Sequence, residues 1–225
     1  MAHTPTPPLL TIVIPLGPGE REAAGLLDQL RHLPLPAEII LVASAAQPWP
    51  IPVTTVEVPP TANRAQMLNA AAAQAAGAWL WFLHADTRLL PDALPAMAAF
   101  VISGQPALGW FHLTFRPDGP ALTRLNAAGA NLRSRWLGIP FGDQAFLLPT
   151  AQFRALGGFD ETARYGEDHL FVWTARAAGL HARPVGATVA TSARKYARLG
   201  WLRTTLLHWR LTAEQAWPAW RGRNR

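Results

Sequence analysis

"ANRAQMLNAAAAQAAGAWLWFLHADT", residues 62–87, decides the fold. Its first part is Ala-rich, opens on Asn63 as a helix N-cap and runs to Gly77, so it reads as a helix. "AWLWFL" follows at once. Six apolar residues without alternation mark a strand covered on both faces, as in a parallel sheet. The run stops at His84 and Asp86, which alternate along the chain and therefore point the same way in an extended segment.

The same unit recurs upstream. "LLTIVIP" (9–15) is a short buried strand, and "GEREAAGLLDQLRHL" (19–33) a helix with Leu26, Leu27, Leu30 and Leu33 on one face. "AEIILVA" (37–43) is a second buried strand and "PVTTVEV" (52–58) a third, nearer an edge. Downstream, Pro91 sits at a favoured first helical position. Strand–helix alternation of this kind predicts an α/β fold whose parallel sheet carries helices on both faces. From about residue 105 the rhythm changes. "ALGWFHLTF" (107–115) alternates like an antiparallel strand. "ALTRLNAAGANLRSRWLG" (121–138) is helical, "DQAFLLP" (143–149) a strand, "TAQFRALGG" (150–158) a short helix, "EDHLFVWTARAAG" (167–179) a helix and "GATVATSA" (186–193) a late strand. With no internal repeat and no low-complexity linker, residues 1–225 read as one domain. A basic, Trp-rich helical segment follows from about residue 196.

Bulk composition narrows the function. A chain of 225 residues, half of them hydrophobic, can bury a sizeable core and is not disordered. It has no cysteine, which excludes disulfides and thiolate metal sites. "MAHTPTPPLL" lacks the charged start and apolar core of a signal peptide. No run of about 18 apolar residues exists to cross a bilayer. The net charge of +6 suits an anionic partner, although all but one of the cations are arginines, as composition bias also produces. No nucleic-acid-binding motif appears.

In open α/β sheets ligands bind beyond the carboxyl ends of the strands, and four features fall there. The tip "IPLGPGE" (14–20) is either a tight turn or a loop that lets backbone approach a ligand; its spacing is not that of a phosphate-binding glycine fingerprint. Arg64, in the first turn of its helix, faces the positive end of the dipole. It is either a solvated side chain or an anion ligand. Asp86 either closes a turn or, with His84, binds a divalent cation. Imidazole plus carboxylate suits Mn²⁺ better than Mg²⁺. Glu167 and Asp168 either complement the dipole of the helix they open or place a general base beside the cleft.

The order of these motifs carries a resemblance. "IVIP", "NRAQMLNAAAAQAAG", "WLWFLHADT", "GDQAFLL", "ALGGFDE" and "GED", over residues 9 to about 210, resemble the family 2 inverting glycosyltransferases with the GT-A fold, which use nucleotide-sugar donors. "LHADTRL", "GDQAF" and "TSARKYARLGWLRTTLLH" are similar to the radical-SAM/selenodomain-associated transferase subfamily. The resemblance implies a divalent metal, Mn²⁺ or Mg²⁺, on Asp86 and His84 and a catalytic base at Asp168. It implies donor contacts at Pro15, Leu16, Glu20, Arg64, Arg194 and Lys195. The acceptor side falls to Gly142, Asp143, Gln144 and Glu167. It also implies a cytoplasmic enzyme, at the inner membrane face where the acceptor is lipid-linked. Two positions depart from the family. Only Glu20 remains of the acidic motif after the first strand, where Gly17 and Gly19 stand, and Ala43 replaces the acid that reads the nucleotide base. A non-catalytic nucleotide- or saccharide-binding protein on the same fold is the alternative. The segment "KYARLGWLRTTLLHWRLTAEQAWPAWRGRNR" (195–225), with interleaved Arg and Trp, either lies on an anionic bilayer as a peripheral membrane module or packs its apolar residues on the domain.

Overall fold

The computed structural model describes residues 8–222, with backbone alone for Ala213 and for residues 215–222. The first seven residues of the stretch read for a signal peptide and the last two tryptophan side chains of the C-terminal segment lie outside the described residues.

Eight strands form one mixed sheet, in the order β3-β2-β1-β4-β7-β6-β8-β5. They are β1 (Leu10–Pro15), β2 (Ala37–Ala43), β3 (Thr54–Glu57), β4 (Trp79–Phe82), β5 (Arg88–Leu89), β6 (Leu108–Phe115), β7 (Leu147–Pro149) and β8 (Ala182–Thr191). The helices are α1 (Ala23–Gln29), α2 (Arg64–Gln74), α3 (Ala93–Ile102), α4 (Thr123–Leu137), α5 (Thr150–Ala155), α6 (Glu167–Ala177), α7 (Arg194–Leu199) and α8 (Trp201–Gly222).

The continuous apolar strands are continuous because both faces are covered. Ile12, Ile14, Trp79 and Trp81 join α1 and α3 in one core, with Leu26, Leu27, Met97 and Val101. Val13, Leu80 and Phe82 join α2, α5 and α6 in the other, with Leu68, Phe153, Phe171 and Val172. Burying one such side chain contributes roughly 1.5–3 kcal/mol, so exchanging these faces by a one-residue register slip would be costly.

The registers align the strand ends. β1 is parallel to β2, with Pro15 opposite Val42, and parallel to β4, with Val13 opposite Phe82. Antiparallel β7 reverses the direction between β4 and β6, so β6 and its parallel partner β8 run the same way as β4. The segments after β1, β2, β4, β6 and β8, and the one before β7, therefore share one edge.

Several boundaries differ from the sequence reading. The helix expected to run to Gly77 stops at Gln74. Gly77 instead presses on β1, where a Cβ would stand 2.5 Å from the Thr11 nitrogen. The helix expected from Pro91 begins at Ala93. The late strand starts at Ala182, and β5 was not foreseen. The strand expected over 143–149 shrinks to Leu147–Pro149, because Gly142–Gln144 forms a turn of 3₁₀ helix and Ala145 is left-handed at φ 55°.

Candidate active site at the strand tips

The first cluster lies beyond β1, β6 and β8 and at the start of β5. Glu22, half-buried at the entry to α1, gathers three arginines: Arg88 at 2.8 Å, Arg116 at 2.8 Å and Arg194 at 3.2 Å. Arg116, through its hydrogen bond and its charge, holds the Glu22 carboxyl below the usual range, against a smaller opposing effect of burial. Asp118 stands beside Arg116 and accepts hydrogen bonds from Ser192 Oγ and from the Ala193 amide. That ties the loop after β6 to the one after β8. Asp86 belongs to this neighbourhood. Burial, reinforced by the charge of Glu20, pushes its carboxyl up, while Arg194 and the Ser192 backbone oppose the shift. A cation placed here would relieve both effects.

The second cluster joins α2, the tip of β4, the turn before β7 and the start of α6. Asn63 caps α2 as the sequence predicts, in a capping box with Gln66. Arg64, next along, is no free surface side chain: it donates to His84 Nε2 and lies 3.3 Å from Glu167. Burial and the Arg64 charge hold His84 well below its ordinary pKa, so it is a neutral imidazole whose Nε2 accepts from Arg64. A metal at that nitrogen would have to displace a guanidinium. His84 fits the support of Arg64 rather than a metal. Glu167 is buried and its carboxyl is pushed up, mainly by burial.

Asp168 accepts at Oδ2 from the Gly142 amide, at 2.5 Å, and at Oδ1 from the His169 amide. The first bond needs a glycine, because a Cβ on residue 142 would sit 2.9 Å from that carboxylate oxygen. Beside it, Asp143 is pushed up to about 6 by burial and then by the Asp168 charge. Asp143 Oδ1 and the neighbouring Arg133 Nη2 are buried without a protein partner. A buried polar atom left so costs roughly 1–3 kcal/mol unless a ligand or water meets it. Gln144, expected on the acceptor side, is fully buried. It accepts from Ser134 Oγ and the Phe141 amide and donates to the Phe111 carbonyl. It therefore fixes the turn that carries Asp143 and does not line the cleft. Its role is needed because β7 meets β6 only at Gly109, which leaves the rest of that β6 edge to side chains; Asn131 bonds both backbone groups of Leu113 in the same way.

Two expected donor residues sit less simply. Leu16 is buried, with its amide on the Val42 carbonyl, so only backbone is available there. Lys195 reaches His208 of α8, at 3.0 Å. Sequence reading missed Glu22, Arg88, Arg116 and Asp118. Glu22 lies 66 residues from Arg88 and 94 from Arg116, so no local pattern marks that hub.

Among the described residues no group of three His, Asp or Glu side chains is placed to hold a metal ion. A groove of about 870 Å³ opens on the opposite edge, near the first residues of β6 and β8, with Trp136, Trp173 and Arg176 in its lining. It holds no acid and is separate from the strand-tip chemistry.

No protein-family model matches the chain, and no curated protein sequence does. Solved structures do. S. aureus TarS 1–349 in complex with UDP-GlcNAc aligns with a TM-score of 0.61 at 16% identity, over 81% of this chain and 58% of that one. The mannosyltransferase PcManGT from Pyrobaculum calidifontis, in complex with GDP-Man and Mn²⁺, aligns with a TM-score of 0.60 at 22% identity, over 83% and 57%. The chain thus spans under three-fifths of the length of these neighbours. Its α/β architecture, a mixed sheet flanked by helices with all candidate residues on one edge, is the GT-A fold that the motif order implies.

Proposed function

We propose that this protein is a glycosyltransferase that moves a sugar from a nucleoside-diphosphate donor to an acceptor hydroxyl with inversion, assisted by a divalent cation, Mn²⁺ or Mg²⁺. The observation that carries the proposal is the pairing of two charged clusters on one sheet edge, one gathering three arginines on Glu22 and the other crowding Asp143, Glu167 and Asp168. The fold is shared with proteins solved with UDP-GlcNAc and with GDP-Man and Mn²⁺, which supports the same donor class.

Asp86 is the carboxylate suited to the cation. As the one carboxylate placed for it, Asp86 would hold the cation together with the donor rather than in an all-protein cage. When bound, the cation neutralises charge on the departing diphosphate. Arg194, more than half exposed and held by Glu22 and Ser192, can turn from Glu22 to the diphosphate. Arg64, steadied by His84 and Glu167, presents positive charge from the other side. Asp168 takes the proton of the acceptor hydroxyl as that oxygen bonds to the anomeric carbon. The bond from this carbon to the diphosphate oxygen breaks, with one inversion and no enzyme nucleophile. The Gly142 amide fixes the orientation of Asp168.

Thermal shift with UDP and GDP, with and without Mn²⁺ or Mg²⁺, followed by assay of nucleotide release from UDP- and GDP-sugars, tests this. Metal-dependent stabilisation and release are expected. No response to any nucleoside diphosphate would overturn the proposal. Binding without release would favour a non-catalytic nucleotide-binding protein, the reading that Ala43 at the end of β2 supports.

A further inference from the structure

Away from the cleft, two adjacent helices turn apolar stripes outward. The first stripe runs from Leu122, at the cap of α4, through Leu125, Leu132 and Trp136, spaced so that all fall on one helix face. They are 50, 61, 57 and 74% exposed. On α8 the second is Leu202, Leu206 and Trp209, at 59, 53 and 69%. The helices are neighbours. Asn126 of α4 donates to Thr205 Oγ1 and accepts from Trp201 Nε1 of α8. On α4, Asn126 lies between the buried face (Thr123, Ala127, Ala130) and the exposed stripe; on α8, Thr205 lies between buried Thr204 and the stripe. Both stripes therefore open outward from a shared contact that joins the first turns of the two helices.

The border of the two stripes is basic. Exposed Arg124 and Arg135 flank the α4 stripe on the side away from α8, and exposed Arg203 and Arg210 flank the α8 stripe on the side away from α4. No acid occurs over residues 121–138 or 194–213; the first is Glu214, which meets Arg210. A monomer normally keeps contiguous exposed apolar patches small. Two copies of this face would bring arginines against arginines, whereas a phosphate-bearing lipid surface complements them. Trp136 and Trp209, apolar bodies with a polar N–H, suit the boundary between headgroups and acyl chains. No helix among the described residues is long and apolar enough to cross a bilayer.

We propose that the α4/α8 face docks on an anionic lipid bilayer, with the tryptophans and leucines in the interface and the arginines against headgroup phosphates.

Vesicle co-sedimentation with the full chain tests it. Wild type should partition onto phosphatidylcholine–phosphatidylglycerol vesicles, weakly onto phosphatidylcholine alone, and progressively less as salt rises. Trp136→Ser with Trp209→Ser should cut partitioning about tenfold or more, from lost apolar burial. Arg124→Gln, Arg135→Gln and Arg203→Gln should each cut it about fivefold. Arg31→Gln, outside the face, should leave it unchanged. Circular dichroism and the melting temperature establish that each variant folds. Absence of wild-type partitioning, equal partitioning onto neutral vesicles, or partitioning untouched by the tryptophan and arginine variants in folded protein overturns the proposal. A concentration-dependent dimer in light scattering that the same variants abolish also overturns it, because the face is then a self-interface.

Discussion

The two clusters on the strand-tip edge are wired differently. In one, Glu22 holds three guanidinium groups, Asp118 shares one of them, and Asp86 stands beside them with its carboxyl pushed up by burial and by Glu20. In the other, Asp143, Glu167 and Asp168 crowd together, and Arg64 and Arg133 offset them in part. In the proposed reaction this difference divides the labour: the wall that gathers three arginines would neutralise an anionic leaving group, and the wall that crowds three carboxylates would take up a proton.

The contrast breaks most visibly at Asp86. A nucleoside diphosphate with its metal, at a hundred times its dissociation constant, should add about 2.7 kcal/mol of stability. Asp86→Ala should remove the metal-dependent part in a thermal-shift titration; a response like that of wild type would make Asp86 a turn residue only. Next in size is Glu22→Gln, which leaves three arginines without their counter-charge. A loss of about 1–3 kcal/mol in urea unfolding is expected, less at high salt. The Glu22 pKa is depressed, so its contribution is present above its unfolded pKa and fades as pH falls through the lower folded value. Urea unfolding should therefore show wild type and Glu22→Gln converging in acid.

Gly142→Ala sharpens the other wall. Its Cβ would stand 2.9 Å from Asp168 Oδ2, so the carboxylate must shift. We expect a loss of about 1–2 kcal/mol, as for mild overpacking, together with slower turnover. One effect has the opposite sign. Asp143 is raised from 3.8 to about 6 on folding, so its contribution is fully present below pH 3.8 and is lost as pH rises through about 6. Asp143→Asn escapes that loss. It should be more stable than wild type at pH 7, by up to about 3 kcal/mol, and no more stable at pH 4. Equal pH dependence in the two proteins would place Asp143 in water rather than in the buried cluster.

Much of the fold was legible because burial on both faces leaves a local mark: "LTIVIP", "AEIILVA" and "WLWF" are strands that only a covered sheet accommodates. Asn63 as a cap and Glu167–Asp168 at a helix start were legible for the same reason, since capping and dipole chemistry act within a turn. The "GDQAFLLP" turn was not. Its apolar residues suggest a strand throughout, yet the left-handed Ala145 and the buried Gln144 bonds depend on α4 and β6. The Glu22 hub was invisible because ion pairs across the sheet edge leave no spacing to read. His84 was legible as a tip residue, but its partner Arg64 comes from another element.

The most direct measurement is on Asp168→Asn, which keeps the shape of the side chain and removes its basicity. Nucleoside-diphosphate affinity is measured by calorimetry with Mn²⁺ present, and turnover by nucleotide release from the sugar nucleotide that wild type uses. The account predicts affinity within a few-fold of wild type and turnover lower by about 10²-fold or more. Parallel loss of affinity and turnover, or turnover left unchanged, would contradict the placement of the base at Asp168 and with it the division between the two walls.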